Sequence, residues 1–398
     1  MELLIYLILF LLVLIVSSTT NKPLPFLPLP LVQILLGIVI GLFLPNTDFH
    51  LNTELFLALV IGPLLFRESE EADITAILKH WRIIVYLIFP VIFISTLSLG
   101  GLAHLLWFSL PLAACLAVGA ALGPTDLVAF ASLSERFSFP KRVSNILKGE
   151  GLLNDASGLV AFQVALTAWT TGAFSLGQAS SSLIFSILGG FLIGFLTAMT
   201  NRFLHSFLLS VRATDIASEL LLELSLPLVT FFLAEEVHVS GIIAVVVAGI
   251  LKASRFKKIT LLEAQVDTVT ETVWHTVNFM LNGSVFVILG MELEMIAEPI
   301  LTNPIYNPLL LLVSLIALTF VLFAIRFVMI YGYYAYRTRR LKKKLNKYMK
   351  DMLLLTFSGV KGTVSIATIL LIPSNLEQEY PLLLFLVAGV TLVSFLTG

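Results

Sequence analysis

Two short runs interrupt long apolar segments of this chain: Gly123-Pro124-Thr125-Asp126 and Ser358-Gly359-Val360-Lys361-Gly362. Glycine and proline weaken or break helices, and a charge deep in an apolar segment is costly to place in lipid. Interrupted helices at matching positions are the pattern of proteins that build a site in the middle of a membrane. The two runs therefore predict an all-α polytopic membrane protein with two broken helices.

The composition supports a membrane location. Of 398 residues, 58% are hydrophobic and 12% are charged, whereas soluble chains are near half apolar and a quarter charged. The single cysteine, Cys115, excludes a disulfide framework, and six scattered histidines lack metal-ligand spacing. A net charge of -1 without a basic patch argues against a nucleic-acid partner. We expect neither an enzyme nor a resident cofactor.

Thirteen apolar stretches are long enough to be candidates for crossing about 30 Å of hydrocarbon as helices. They fall at 2–18, 31–45, 51–66, 83–106, 109–133, 143–170, 180–201, 216–235, 237–251, 272–293, 305–336, 349–372 and 381–398. Spans two, three and nine are short enough to be re-entrant segments if taken alone. The distribution of charge in the loops is therefore needed to show whether they cross the membrane.

The basic residues divide by membrane side. All but three of the 24 Lys and Arg lie in loops that follow odd-numbered spans or at the edge of such a loop, and loops that follow even-numbered spans have none. The positive-inside rule then predicts a multi-pass protein of the cell (inner) membrane, with its N-terminus outside and its C-terminus cytoplasmic. The exceptions lie within spans: Lys148, Arg326 and Lys361. The last span reaches Gly398 without a polar flank, which leaves open a cytoplasmic continuation.

Thirteen spans divide into one extra helix and two sets of six that start from opposite sides of the membrane, as in inverted repeats. We therefore expect an N-terminal helix and loop at 1–30, a first repeat at 31–215 and a second at 216–398. Span 5 then corresponds to span 12, and these are the two spans that are broken.

Asp155 ends the run Lys148-Gly149-Glu150-Gly151-Leu152-Leu153-Asn154-Asp155, about 12 residues and therefore ~18 Å from the inner end of span 6. Glu150 and Asn154 share a helix face, and Asp155 lies on its flank. Sodium, as a hard cation, takes carboxylate, amide and hydroxyl oxygens, which Thr125 and freed carbonyls can complete. Burial favours the protonated form of a carboxylic acid, so one group can hold a proton or a cation. The alternative is a structural role for Asp155 in tying helices together.

Asp126 and Lys361 have a different predicted role. A helix broken at mid-depth exposes a positive N-terminal end and a negative C-terminal end. Asp126 would compensate the former and Lys361 the latter, with direct ion binding as the alternative. Arg326 is read as structural, with Glu68, Glu70 or Glu71 as candidate partners.

Two weaker patterns complete the list. Gly37-xxx-Gly41 and Gly190-xxx-Gly194 suit close approach of helices, inside the chain or at a dimer surface. The basic cluster from Arg337 to Lys350 is a topology signal that also meets anionic lipid, and a regulatory role is the alternative.

At these residues the sequence resembles the bacterial sodium/proton antiporters of the monovalent cation/proton antiporter family 1, relatives of the sodium/proton exchangers. The most specific match is Glu150-Gly151-Leu152-Leu153-Asn154-Asp155-Ala156, which is similar to the family's Asn-Asp signature, preceded by residues 123–126. Supporting stretches are 240–249 and 359–365. The family usually has proline at Leu127 and arginine at Lys361; lysine keeps the charge but not the fork geometry.

The resemblance implies a homodimer with a static interface domain and a core of six helices that carries the ion by an elevator-like motion. It implies ion and proton binding at Asp155 with Glu150 and Thr125, and Asn154 as a brace. Asn at position 154 is the pattern of electroneutral, one-for-one members.

The sequence thus predicts a secondary active antiporter that exchanges sodium, with lithium as a second candidate, for protons in pH homeostasis. The alternative is a potassium-preferring or mixed monovalent cation/proton antiporter. A sodium-coupled symporter would need a further polar pocket, and a channel or receptor does not explain two matched breaks.

Overall fold

The structure is a computed structural model. It describes residues 2–21, 29–43, 53–126, 139–172, 176–211, 215–253, 261–302, 306–340, 342, 345–372 and 379–397. Regular structure in these residues is helical throughout, without strands, so the predicted all-α class is confirmed. The helices form two compact units whose segments alternate along the chain.

Unit 1 comprises Met1–Asp48, Thr75–Phe174 and Ser284–Gly398. Its helices are α1 (Glu2–Asn21), α2 (Leu29–Phe43), α5 (Ile74–Leu78, from the unit boundary), α6 (Trp81–Tyr86), α7 (Ile92–Leu106), α8 (Leu112–Ala121), α9 (Lys141–Thr171), α14 (Pro308–Arg340), α15 (Met349–Phe357), α16 (Thr363–Ile369) and α17 (Tyr380–Thr397). A π turn at Leu87–Val91, which contains Pro90, joins α6 to α7.

Unit 2 comprises Phe49–Ile74 and Ser175–Gly283. Its helices are α3 (Thr53–Phe56), α4 (Gly62–Glu70), α10 (Leu176–Ser210), α11 (Ile216–Glu236) and α12 (Gly241–Ala253). A π turn at Leu57–Ile61 joins α3 to α4. The long helix α13 (Leu261–Thr302) begins in unit 2 and ends in unit 1.

Each of the thirteen apolar stretches contains at least one helix. Five helices of the described chain are long and apolar enough to cross a membrane: Trp81–Leu106, Ile184–Leu208, Ile216–Glu236, Thr268–Glu294 and Pro308–Arg340. A multi-pass membrane protein follows, while the number of crossings stays a prediction. Helices α10 and α13 are longer than expected because their polar ends continue the helix beyond the apolar stretch.

Small residues bring the helices of unit 1 close together. In α8, Gly119 lies against the backbone of Thr96 in α7, and Gly100 of α7 lies against Leu116. A β-carbon at either glycine would overlap these neighbours. The apolar core continues around α8 through side chains such as Phe162, so α8 is held rigidly up to the point where it ends.

Both glycine pairs noted in the sequence serve packing inside the chain. Gly37 of α2 lies against Gly290 of α13, within unit 1. In unit 2, Gly190 and Gly194 of α10 lie against the start of α12, where the carbonyl oxygen of Ala244 is a close neighbour. The spacing alone left a dimer surface open, and the structure assigns both pairs to internal contacts.

The predicted break in span 12 is confirmed. Helix α15 ends at Phe357, residues 358–362 are not helical, and α16 starts at Thr363. In span 5, α8 ends at Ala121 and residues 122–126 leave the helix. The rest of that span, including Leu127, lies outside the described residues. The boundary of the expected repeats at residue 216 also stays a prediction, since unit 1 draws helices from both halves of the chain.

Candidate ion-binding site

The site is built where the two interrupted segments meet. The backbone N–H of Asp126 donates to the carbonyl oxygen of Val360 at 2.9 Å, which joins the two non-helical runs directly. Backbone groups freed from helical hydrogen bonds need other partners when they are buried. Here each break supplies a partner for the other.

Lys361 closes the first break. Its Nζ donates to the carbonyl oxygens of Gly123 at 2.7 Å and Pro124 at 2.8 Å, just beyond the C-terminal end of α8. The side chain is 1% exposed, and its backbone N–H donates to Ser394 Oγ of α17 at 3.1 Å. A buried ammonium at the negative end of a helix is the arrangement that the macrodipole favours.

Asp126 lies at the second break. Its carboxylate packs directly against Gly362, the residue before α16, and leaves no room there for a β-carbon. A carboxylate beside the start of a helix faces the positive end of the helix dipole. Each break therefore places its charged residue, Asp126 or Lys361, at a helix end of the other segment.

Arg326 closes the remaining helix end. Its Nε donates to the carbonyl oxygen of Leu355 at 2.9 Å, in the last turn of α15. Its Nη1 and Nη2 donate to Glu150 Oε1 at 2.5 Å and Oε2 at 2.8 Å, and both side chains are at most 4% exposed. This fork-to-fork pairing is among the strongest side-chain contacts in proteins.

The partner of Arg326 corrects the sequence analysis, which looked among the acids at the end of span 3. Of these, Glu70 and Glu71 pair with Arg67 in unit 2. Arg326 was therefore missed as a residue of the site. The available signal was an arginine within an apolar span, which requires a buried carboxylate close by.

Asn154 ties α9 to the first break. Its Nδ2 donates to Thr125 Oγ1 at 2.6 Å, and both residues are buried. Gly158, one turn further along α9, lies against the Pro124 ring. The Oδ1 atom of Asn154 is buried, and no donor reaches it from the described part of the chain. A buried amide oxygen without a donor is suited to a cation or a water molecule.

Asp155 is in the middle of α9, next to Asn154. Its side chain lies outside the described residues. The structure thus brings together Glu150, Asn154, Thr125, Asp126 and Lys361 of the expected site, with Arg326 added, and all are in unit 1.

Residues 7–398 match the family model described as "Sodium/hydrogen exchanger, transmembrane". The chain belongs to this family. The resemblance seen in the sequence is thereby confirmed. The match covers the whole site, from α8 to α17.

Two curated relatives are similar over almost the whole chain. Proteins of Bacillus pumilus and Bacillus subtilis, both named "Sodium, potassium, lithium and rubidium/H(+) antiporter", are 35% identical to it over 98% of its length. The alignments cover 59% and 60% of those proteins. The chain thus spans about three-fifths of the length of these relatives.

A solved structure shares the fold. The sodium proton antiporter MjNhaP1 from Methanocaldococcus jannaschii, at pH 8, aligns with a TM-score of 0.71 over 100% of this chain and 96% of that one. The sequence identity is 18%, so this likeness supports the fold alone.

Proposed function

We propose that this chain exchanges a monovalent cation, with sodium as the first candidate, for protons across the membrane, and that the two compete for Asp155. The observation that carries the proposal is the Asn154 to Thr125 hydrogen bond, which fixes the middle of α9 at the broken end of α8. Asp155 is the next residue after this fixed point. We assign the exchanged ion to its carboxylate, because this part of α9 is held beside the Thr125 hydroxyl and the Asn154 amide.

The charges around the site support this role for Asp155. Glu150 is neutralised by Arg326, while Lys361 and Asp126 lie at helix ends. The acids of α9 are Glu150 and Asp155, and because Glu150 is paired with Arg326, we assign the exchanged ion to Asp155. Two ligands of equal charge can then compete for one carboxylate.

The ligand set follows from the donors and acceptors. We assign Asp155, Thr125 Oγ1 and Asn154 Oδ1 as direct oxygen ligands of the cation. Both oxygens of Glu150 accept hydrogen bonds from Arg326, so Glu150 contributes by holding α9 to Arg326 rather than as a direct ligand. Lys361 and Asp126 support the broken backbone.

Exchange is proposed to be electroneutral because one carboxylate takes either one cation or one proton. A membrane potential should then neither drive nor retard exchange in liposomes clamped with potassium and valinomycin. Uptake that follows the potential would mean that a second charge moves in each cycle.

A mixed monovalent cation specificity is the second candidate, and the names of the two Bacillus relatives favour it. Proteoliposomes with an imposed pH gradient, tested with sodium, lithium, potassium and rubidium in turn, separate the two. If sodium and lithium alone dissipate the pH gradient, sodium/proton exchange is supported. If potassium and rubidium also dissipate it, the mixed cation specificity is supported.

Competition is tested by measuring exchange across pH at several sodium concentrations, with equal pH on both sides. Sodium binds only the sites that have released their proton, a fraction that falls tenfold per pH unit on the acidic side. The apparent sodium KM should therefore rise about tenfold for each unit that the pH drops. Saturating sodium should restore the rate. If the fall in exchange rate on the acidic side of the pH profile stays at the same pH at every sodium concentration, competition is ruled out.

The assembly and topology belong to the same proposal: a homodimer in the inner membrane, with the N-terminus outside and the C-terminus cytoplasmic. The single cysteine of the sequence, Cys115, is buried. Cysteines introduced near each terminus can therefore be labelled selectively with an impermeant reagent. Labelling from outside at the N-terminal position alone is the expected result.

A further inference from the structure

An apolar groove runs along α14 beside the broken helix. It has a volume of about 620 Å³. Its walls are the stretch of α14 from Ile316 to Phe327, the second half of α15 and the end of α17 around Val393. All of these segments belong to unit 1.

The groove has three threonines in its wall but hardly any polar surface. Thr319 Oγ1 donates to the carbonyl oxygen of Leu315, Thr356 Oγ1 to that of Met352 and Thr397 Oγ1 to that of Val393. Each hydroxyl donates its proton to its own helix, so it can offer a water molecule only an acceptor. An apolar occupant is favoured, because a water molecule needs two to four polar partners.

The groove is open along one side. Phe320 is 71% exposed and Phe357 is 46% exposed in the folded chain. The rings of Phe323 and Phe357 pack at 5.7 Å between centroids and join α14 to α15 across the floor. Since α14 is an apolar helix of membrane-spanning length, this open side is at the depth of the lipid acyl chains.

One end of the groove is basic. Lys350, Leu353 and Phe357 are spaced three and four residues apart on α15, so an exposed lysine continues the apolar stripe beyond the groove. The neighbouring acid, Asp351, is paired with Arg142. Exposed arginines at 337, 339 and 340 end α14 on the same side. The apolar groove thus ends about one helical turn from an exposed lysine, with further positive charge beyond it on α14.

We propose that the groove binds one anionic phospholipid of the bilayer, with an acyl chain between α14 and α15 and its phosphate at Lys350. An acyl chain matches the apolar wall, and a negative headgroup matches the basic end. The occupant would contact Phe357, the last residue of α15 before the break. Lipid would then be a structural neighbour of the site.

Native mass spectrometry of the purified chain tests the proposal with phosphatidylglycerol and phosphatidylcholine of matched acyl chains. Ala324→Phe fills the groove, and Val328→Phe places the same ring at an exposed position of α14 that does not line it. The added ring overlaps the space of the acyl chain, which loses its packing contacts with the wall. Phosphatidylglycerol binding should therefore fall about tenfold, or about 1.4 kcal/mol, in Ala324→Phe and stay unchanged in Val328→Phe.

The headgroup is tested separately. Lys350→Gln should reduce the preference for phosphatidylglycerol about fivefold, the weight of one basic residue near an anionic surface. Arg202→Gln removes an exposed charge from unit 2 and should leave the preference unchanged. Equal retention of both lipids by the parent chain would overturn the proposal.

A second measurement covers the case in which Ala324→Phe does not fold. Phe320→Trp keeps an aromatic ring at the open side, and vesicles of phosphatidylcholine with a minor fraction of brominated phosphatidylglycerol should quench its indole more than that of Val328→Trp. Equal quenching contradicts a specific site.

A second copy of the chain is the other possible occupant of the groove. A change in dimer content in Ala324→Phe with lipid binding intact would assign the groove to that copy and would overturn the lipid proposal. Neither readout requires transport, so failure here leaves the proposed exchange untouched.

Discussion

The two units bury charge in different ways. In unit 1, Arg326 and Lys361 are almost fully buried, and both donate to backbone carbonyls at helix ends. In unit 2, Lys252 lies 2.8 Å from Glu223 and 3.4 Å from Glu70, and the three are between 8% and 15% exposed. The cations of unit 1 thus hold broken backbone, whereas Lys252 links side chains on intact helices.

This difference predicts where charge matters most. A cation at a helix end replaces hydrogen bonds that the break removed, and water cannot easily substitute for it in a buried site. The network of unit 2 has spare partners: Trp274 Nε1 also donates to Glu223 at 3.1 Å, and Arg67 also donates to Glu70 at 2.9 Å. Loss of one member there leaves the others paired.

The largest expected effect is loss of exchange in Asp155→Asn. The amide offers an oxygen but cannot hold the exchanged proton, so flux should fall to background while the protein inserts and folds normally. Proton-coupled dequenching in proteoliposomes checks this. Substantial coupled flux in this variant would remove Asp155 from the mechanism and would leave Glu150 as the candidate.

Arg326→Met should cause the largest loss of stability. Removing one partner of a buried ion pair costs about 3–5 kcal/mol, and here the carbonyl of Leu355 also loses its donor. The thermal midpoint in detergent measures this, with Arg142→Met as a control, because Arg142 and Asp351 are 20% exposed or more. The double variant with Glu150→Gln should be more stable than Arg326→Met alone. If the stability losses of Arg326→Met and Glu150→Gln simply add up in the double variant, the two side chains are not coupled.

Lys361→Ala should have the next largest effect, about 2 kcal/mol, since two buried carbonyls lose their donor and the end of α8 loses its charge. Stability should fall more than the apparent cation affinity does. Lys361→Arg, which keeps the charge, should be close to the parent. A collapse of affinity at unchanged stability would assign Lys361 a direct role in ion binding.

Lys252→Gln in unit 2 should cost about 1 kcal/mol, between the values for exposed and buried pairs. Exchange at saturating sodium should continue. If this variant is destabilised as strongly as Arg326→Met, the contrast between the units is wrong.

The smallest effect concerns Asp215, which precedes α11 and accepts a hydrogen bond from the Ser218 N–H at 2.8 Å. Hydrogen bonding by Ser218 holds the pKa of this carboxyl below its ordinary value of 3.8. The stabilisation is present above that value and is lost as the pH falls through the lowered pKa. Asp215→Asn, which retains a capping side chain, should match the parent at neutral pH and lack this acid-dependent step in the thermal midpoint.

The sequence located the elements of the site because their signals are local. Residues 358–362 contain two glycines within an apolar segment, and a helix does end at Phe357. Lys361 could likewise be assigned to a helix end, because a charge in the hydrocarbon region is costly unless a group such as a negative helix end compensates it. The π turns at Leu57–Ile61 and Leu87–Val91 were missed, because a single widened turn leaves the apolar pattern nearly unchanged.

By itself, the sequence determined that this is a helical membrane protein with two broken segments, an Asn154-Asp155 pair in mid-helix and three basic residues inside spans. Those features follow from hydropathy, turn residues and spacing along one helix. The tertiary structure alone decided that Arg326 joins Glu150, that Lys361 closes the end of α8 rather than a helix of its own segment, and that α14 and α15 leave a groove. These contacts join residues up to 238 positions apart. The pairing of such distant residues depends on how helices pack in three dimensions, which periodicity along one segment does not encode.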